Sequence, residues 1–258
     1  MRVKAMLLDL EGVLYEGDRP IEGATTAVAR LREMGLDLRY LTNTTTRSRA
    51  GVAKRLAGLG LTLGAETLFT PLAAARRLLI DWNARRICLA APQAATADFG
   101  GLELTKTGPV DAVVVGDLYK GFDWDLIDEL FGLLRGGARL IALHKNRYCR
   151  REDGIGLDVG PFVAALEYAA NTQAVVVGKP SPDFFQLALD DMGATAADTM
   201  MVGDDIDADI GGAQGAGLKA VQVRTGKYTE SDLEHPTVRP DFHIDSIATL
   251  PDLIRDLV

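Results

Sequence analysis

Cysteine is scarce in this chain. Only Cys88 and Cys149 occur among 258 residues, in unrelated contexts and without a CxxC spacing, so neither a disulfide framework nor a zinc site is indicated. Long apolar runs are also missing: none approaches the roughly 18 residues of a membrane span, and no membrane partner is expected. The chain opens Met1-Arg2-Val3-Lys4 and goes straight into an apolar strand pattern, with no signal-peptide segment, which predicts a cytoplasmic location. Positive charge is in deficit, with 28 Lys and Arg against 36 Asp and Glu and a net charge of -8. That balance argues against nucleic acid as the main partner, while a small anion held through a metal stays compatible. Internal repeats, low-complexity tracts and long linkers are absent. So is a GxGxxG pattern, and a phosphate loop ending at Gly178-Lys179 fails because position 173 is Gln where that motif needs glycine.

What is present is an alternation of strand and helix signals. An apolar run from Val3 to Leu8 reads as a parallel strand buried on both faces, with Asp9 the first residue to emerge, followed by Leu10-Glu11-Gly12. Such carboxyl edges are where open α/β sheets bind ligands. A helix is expected over Ile21–Met34 and a strand over Leu36–Leu41 that delivers Thr42 and Asn43. A helix over Ser48–Leu59, a strand over Thr67–Thr70 and a helix begun by Thr70 as cap and Pro71 in its first turn follow. From about Arg85 a second α/β series starts, with strands near Ile87–Ala91, Ala112–Gly116, Leu140–Leu143 and Ala174–Val177 and helices over Asp123–Leu134 and Pro161–Tyr168. Its most polar stretch, His144 to Asp158, carries Lys145, Arg147, Arg150, Arg151, Glu152 and Asp153 and reads as a loop of functional or merely surface character. After Gly178 the first style resumes: Ser181 caps a helix to Met192, Thr199–Val202 is a strand ending in Gly203-Asp204-Asp205, Ala220–Val223 is the last strand, and a closing helix includes Leu253, Ile254 and Leu257. The pattern is that of a right-handed parallel α/β sheet, one domain interrupted by another.

Polar residues fall after strands in a fixed order: Asp9 and Glu11, then Thr42, then Lys179, then Asp204 with Asp205, Asp207 and Asp209. Each alone has a bland explanation as a solvated turn or an exposed lysine. Four acids within six positions repel one another unless a cation or basic group lies close, so a metal is the economical explanation. Asp207 is read as the one facing solvent.

These motifs, Asp9-Leu10-Glu11-Gly12, Thr42-Asn43, Lys179 and Gly203-Asp204-Asp205 through Asp209, resemble in content and order the four signatures of the haloacid dehalogenase (HAD) superfamily of phosphatases. Thr42-Asn43-Thr44-Thr45, Gly160-Pro161-Phe162, Val177-Gly178-Lys179-Pro180 and Thr225-Gly226-Lys227-Tyr228 are similar to its subfamily IIA. The resemblance implies a Rossmann-like parallel-sheet core over 1–77 and 178–258, with an α/β cap domain of the C2 type inserted over 78–177. It implies a magnesium-dependent phosphatase acting on a small phosphorylated molecule or phosphoamino acid, the inserted domain closing over the site. Asp9 would be the nucleophile that forms an aspartyl phosphate, and Mg2+ would be held by Asp9, the main-chain oxygen of Glu11 and Asp204. Thr42, with Asn43, would bind phosphate, Lys179 would offset developing charge, and Asp209, ranked above Asp205, would orient a water or Lys179. A homodimer is one of the assembly states left open.

Glu11 departs from the family pattern, which usually has aspartate there as the acid that protonates the leaving group and then activates water. Glutamate moves that carboxylate outward by one methylene. General acid/base catalysis contributes about 10²- to 10⁴-fold, so two readings stay open: Glu11 serves in that role, or only its main-chain oxygen is used. The competing class is accordingly a phosphate-binding or interaction protein with weak or lost turnover. Carbon-halogen hydrolysis by Asp9 needs no metal, and the Asp204–Asp209 cluster and Lys179 favour phosphate over it. A response-regulator receiver is set aside on chain order and length. Specificity is expected in the middle domain, within 144–158 and 117–122.

Overall fold

The computed structural model describes residues 3–151, 154–255 and 257. The chain divides into two compact units, the first made of Met1–Thr42, Arg49–Phe69 and Lys179–Val258, the second of Asn43–Ser48 and Thr70–Gly178.

The first unit is built on six parallel strands in the order Phe242–Ile244, Lys219–Val223, Thr199–Gly203, Ala5–Asp9, Asp37–Leu41 and Leu68–Phe69. Ala5–Asp9 is central and buried throughout, as its unbroken apolar run requires. Chain order reverses here, because the next strand lies on one flank and Thr199–Gly203 on the other. Open α/β sheets bind ligands at such a switch point. Helix Ala24–Glu33 buries Ala24, Ala27, Val28 and Leu31 along one stripe and yields to Gly35 in the left-handed region at φ 81°. Met6, Leu8, Leu10, Leu14, Tyr40, Val202 and Val221 join these helical residues in one core.

The second unit holds five parallel strands, ordered Val175–Val176, Arg139–Ala142, Ala112–Val115, Arg86–Ala90 and Glu103–Leu104. Helices Trp124–Arg135 and Gly160–Ala170 pack on a core of Val113, Val115, Leu130, Leu140, Val163 and Leu166. Phe122 stacks on Phe162 with ring centroids 4.1 Å apart. Helix Pro71–Asp81 starts as expected, the Thr70 hydroxyl accepting from Ala73 N at 3.2 Å. A boundary between residues 77 and 78 would cut this continuous helix, which belongs to the second unit, as does Gly178.

Several expectations are corrected. The stretch from His144 to Asp158 is not simply irregular: Tyr148–Arg151 and Gly154–Leu157 form an antiparallel hairpin. Glu152, Asp153 and the side chains of Arg150 and Arg151 lie outside the described residues. Ala220–Val223 is not the last strand, since Phe242–Ile244 adds an edge. The closing helix is Leu250–Ile254, and Leu257 lies beyond it. Ser181 occupies the cap position of helix Pro182–Met192 without making a side-chain cap bond. No helix among the described residues is long and apolar enough to cross a membrane.

Candidate active site

Strand register in the first unit sets the first contacts. Leu8 is level with Val202, and Asp9 with Leu41, so Asp9, Thr42 and Asp204 all emerge at the carboxyl ends of adjacent strands. Asp9, Thr42, Lys179, Asp204 and Asp209 are each buried. The Lys179 ammonium donates to Asp9 Oδ1 at 2.5 Å and to Asp209 Oδ1 at 2.6 Å. The other oxygen of Asp209 accepts from the backbone N–H groups of Asp204 and Asp205, both at 3.2 Å. One carboxylate oxygen from each of Asp9, Asp204 and Asp209 can be chosen so that all three lie within 4.8 Å of one another.

This crowding has a titration signature. Burial, opposed by Lys179 and reinforced by Asp209 and Asp204, pushes Asp9 up to about 8. Burial, reinforced by Asp209 and opposed by the Lys227 backbone N–H, pushes Asp204 up to about 6. Lys179 is raised although burial works against its charge, because the carboxylates of Asp209 and Asp9 outweigh that cost. One ammonium against three buried carboxylates leaves the cluster short of positive charge, and its donors are all hard oxygens of the kind magnesium takes. The residues present fit a small divalent cation.

The remaining expected residues divide. Asp205 caps the π-helical turn Ile206–Gly211 through Asp207 N and Ala208 N and pairs with the Lys227 ammonium at 2.9 Å. Burial is outweighed there by the Ala208 N–H and by Lys227, which together hold its carboxyl below the usual range. Asp207 is exposed, as expected, and its Oδ1 lies 3.2 Å from His235 Nε2. Glu11 is exposed and its carboxylate stands outside the three-acid cluster. Asn43 belongs to the second unit, where its Oδ1 faces Gly178.

Sequence reasoning missed a set of residues around Asp204. An ideal Cβ on Gly12 or on Gly226 would come closer to Asp204 Oδ2 than the 3.0 Å that real Cβ atoms keep, and both glycines have positive φ, 87° and 66°. Lys227 N donates to the same oxygen at 2.7 Å. The Thr225-Gly226-Lys227-Tyr228 motif was the available signal, legible as a family feature without a role.

Comparison with known proteins places the chain. A model of haloacid dehalogenase-like hydrolases matches residues 6–100, and one of HAD-hydrolase-like proteins matches residues 176–250. The chain belongs to the haloacid dehalogenase-like hydrolase family. It is 42% identical over 230 residues to haloacid dehalogenase-like hydrolase domain-containing protein 2 of Bos taurus, covering 89% of this chain and 87% of that one. It is 40% identical over 259 residues to phospholysine phosphohistidine inorganic pyrophosphate phosphatase of Xenopus laevis, covering 98% and 94%. Among solved structures, p-nitrophenyl phosphatase from Archaeoglobus fulgidus superposes with a TM-score of 0.88 at 26% identity, covering 98% of this chain and all of that one. NagD from E. coli K-12 superposes with a TM-score of 0.85 at 26% identity, covering 96% and 98%. Within the family, the chain stands with the phosphatases of subfamily IIA.

Proposed function

We propose that the protein is a magnesium-dependent phosphatase that hydrolyses a small phosphorylated molecule or phosphoamino acid through an aspartyl phosphate on Asp9. The observation that carries this reading is the Lys179 ammonium bridging Asp9 and Asp209 beside Asp204, at the switch point of the sheet. Asp9 and Asp204, with the main-chain oxygen of Glu11, would hold the cation, which would supply the positive charge that lets a carboxylate nucleophile and a phosphoryl group approach.

The chain's own groups then have defined tasks. A carboxylate oxygen of Asp9 attacks phosphorus and the bond to the leaving oxygen breaks, that oxygen taking its proton from the Glu11 carboxyl. Glu11, now a carboxylate, takes a proton from water, whose oxygen attacks the same phosphorus and returns Asp9 to its starting state with release of phosphate. Thr42 donates to a phosphoryl oxygen, and Lys179 offsets the negative charge that accumulates. Asp209 acts by holding Lys179. The second unit takes the place of the family's inserted cap domain.

Phosphate release from a panel of small metabolites, phosphoamino acids and pyrophosphate, with and without magnesium, tests the proposal. Turnover that requires magnesium and disappears in Asp9→Asn with the circular dichroism spectrum retained supports it; turnover surviving in Asp9→Asn removes the nucleophile from the scheme. The exposed position of Glu11 outside the acidic cluster favours a second reading, a phosphate-binding protein with weak turnover. That reading gains if the panel gives no product and Glu11→Asp restores none.

A further inference from the structure

The turn Thr225–Lys227, just past strand Lys219–Val223, touches both halves of the acidic site. The Thr225 hydroxyl donates to the carbonyl oxygen of Gly12 at 2.5 Å, the residue directly after Glu11. Gly226 N donates to Glu16 Oε1 at 2.6 Å, and Lys227 N donates to Asp204 Oδ2 at 2.7 Å. Gly226 comes so close to Asp204 and to the Cα of Gly12 that no side chain fits there. The far end of the turn is fixed as well. Asp232 accepts from the buried Gln222 amide at 2.7 Å and closes a capping box with Thr229, while the same amide reaches the Asp204 carbonyl at 3.4 Å. In strand register Gln222 is level with Gly203, the residue before Asp204.

We infer that Thr225-Gly226-Lys227 is the clasp that sets the cation affinity of the site, with Thr225 and Gly226 as positioning residues. This rests on the reading of Asp9, Glu11 and Asp204 as the cation ligands. The physical basis is preorganisation. One oxygen of Asp204 is occupied by a main-chain donor, so its carboxylate is held in one rotation with the other oxygen left for the ion. The Thr225 hydroxyl ties the Glu11-Gly12 loop to the same turn. Without the clasp, the two halves of the site must be ordered when the ion binds, and outer partners of this kind change metal affinity by about 10- to 100-fold when removed. The donor to Asp204 belongs to the main chain, so the Lys227 side chain is not part of the device.

Calorimetric titration of the full-length protein with magnesium chloride tests this without reference to turnover. The wild type is expected to bind one ion. Thr225→Val is expected to bind about tenfold more weakly, Thr225→Ser to bind as the wild type does, and Gly226→Ala to lose affinity at least as much as Thr225→Val. Lys227→Met keeps the main-chain donor and removes a positive charge, so its affinity is expected to stay equal or to tighten. Should Gly226→Ala fail to fold, the Val and Ser pair at 225 decides alone. A wild type that binds while Thr225→Val binds equally tightly overturns the clasp and leaves the cation site standing. A wild type that takes up no magnesium overturns the cation site and the clasp with it.

Discussion

Replacing Lys179 by methionine keeps most of the side chain's volume and removes its charge. The ammonium lies 2.5 Å from Asp9 and 2.6 Å from Asp209, and all three side chains are at least nine-tenths buried. At an effective dielectric of about 20, each contact carries a gross attraction of about 6 to 7 kcal/mol. Much of that is cancelled by desolvation, and removing one partner of a buried pair costs about 3 to 5 kcal/mol because the other charge stays behind. The cost should reside in the first unit. Both tryptophans, Trp82 and Trp124, fall in the second unit, so urea denaturation followed by far-UV circular dichroism is the suitable assay, not tryptophan emission. In metal-free buffer at about pH 9, above the value of about 8 to which burial pushes Asp9, Lys179→Met is expected to lose about 3 to 5 kcal/mol. Magnesium is then expected to stabilise it more than it stabilises the wild type, because the ion supplies the positive charge that the substitution removed. A variant within about 1 kcal/mol of the wild type without metal would place the pair in the range of exposed ion pairs and refute the claim that Lys179 holds the carboxylates together.

Two further outcomes concern the second unit and can be read by tryptophan emission. Thr70→Ala removes the hydroxyl that accepts from Ala73 N at the start of helix Pro71–Asp81 and is expected to cost about 1 kcal/mol; an unchanged urea midpoint contradicts it. His144 is buried, and burial lowers its pKa against the opposing pull of Asp158 and Asp117. In the folded chain it stays neutral as pH falls below its ordinary 6.5, while the unfolded chain takes up the proton, so stability is lost on acidification below that value. Comparing urea midpoints of the wild type and His144→Gln at pH 7.5 and 5.5 checks this. The wild type should fall further than the variant, and parallel falls count against it.

The parts of the fold legible in the sequence are those where one physical signal dominates. The strand ending at Asp9 is an unbroken apolar run buried on both faces, and helix Pro71–Asp81 announces itself by Thr70 and Pro71. The hairpin Tyr148–Arg151 and Gly154–Leu157 gives no such signal. Gly154, Ile155 and Leu157 are exposed and Gly156 half-buried, so polarity does not alternate with strand period and an arginine-rich segment reads as loop. Phe242–Ile244 has only three half-buried residues, too few for any period to register. Ser181 shows the limit of cap rules: the residue type and position were met, and the bond is not made.

At the site, the order Asp9, Thr42, Lys179, Asp204 was legible because each follows a strand or precedes a helix. The division of labour among the four later acids was not, since it depends on backbone geometry. Asp205 O accepts from both Asp209 N at 3.0 Å and Ile210 N at 3.2 Å, widening the turn into π geometry, a feature that tends to mark functional sites. In that turn the Asp209 carboxylate folds back over Gly203, where any Cβ would collide with it. One of its oxygens is thereby taken by the N–H groups of Asp204 and Asp205, and the other by Lys179. Asp205, four residues earlier, is spent on capping the same turn. Identical carboxylates five positions apart therefore acquire different duties from a glycine and one extra residue in a helical turn. A count of acids can register their density, but not that Asp209 accepts from the Lys179 ammonium while Asp204 accepts from the Lys227 main chain.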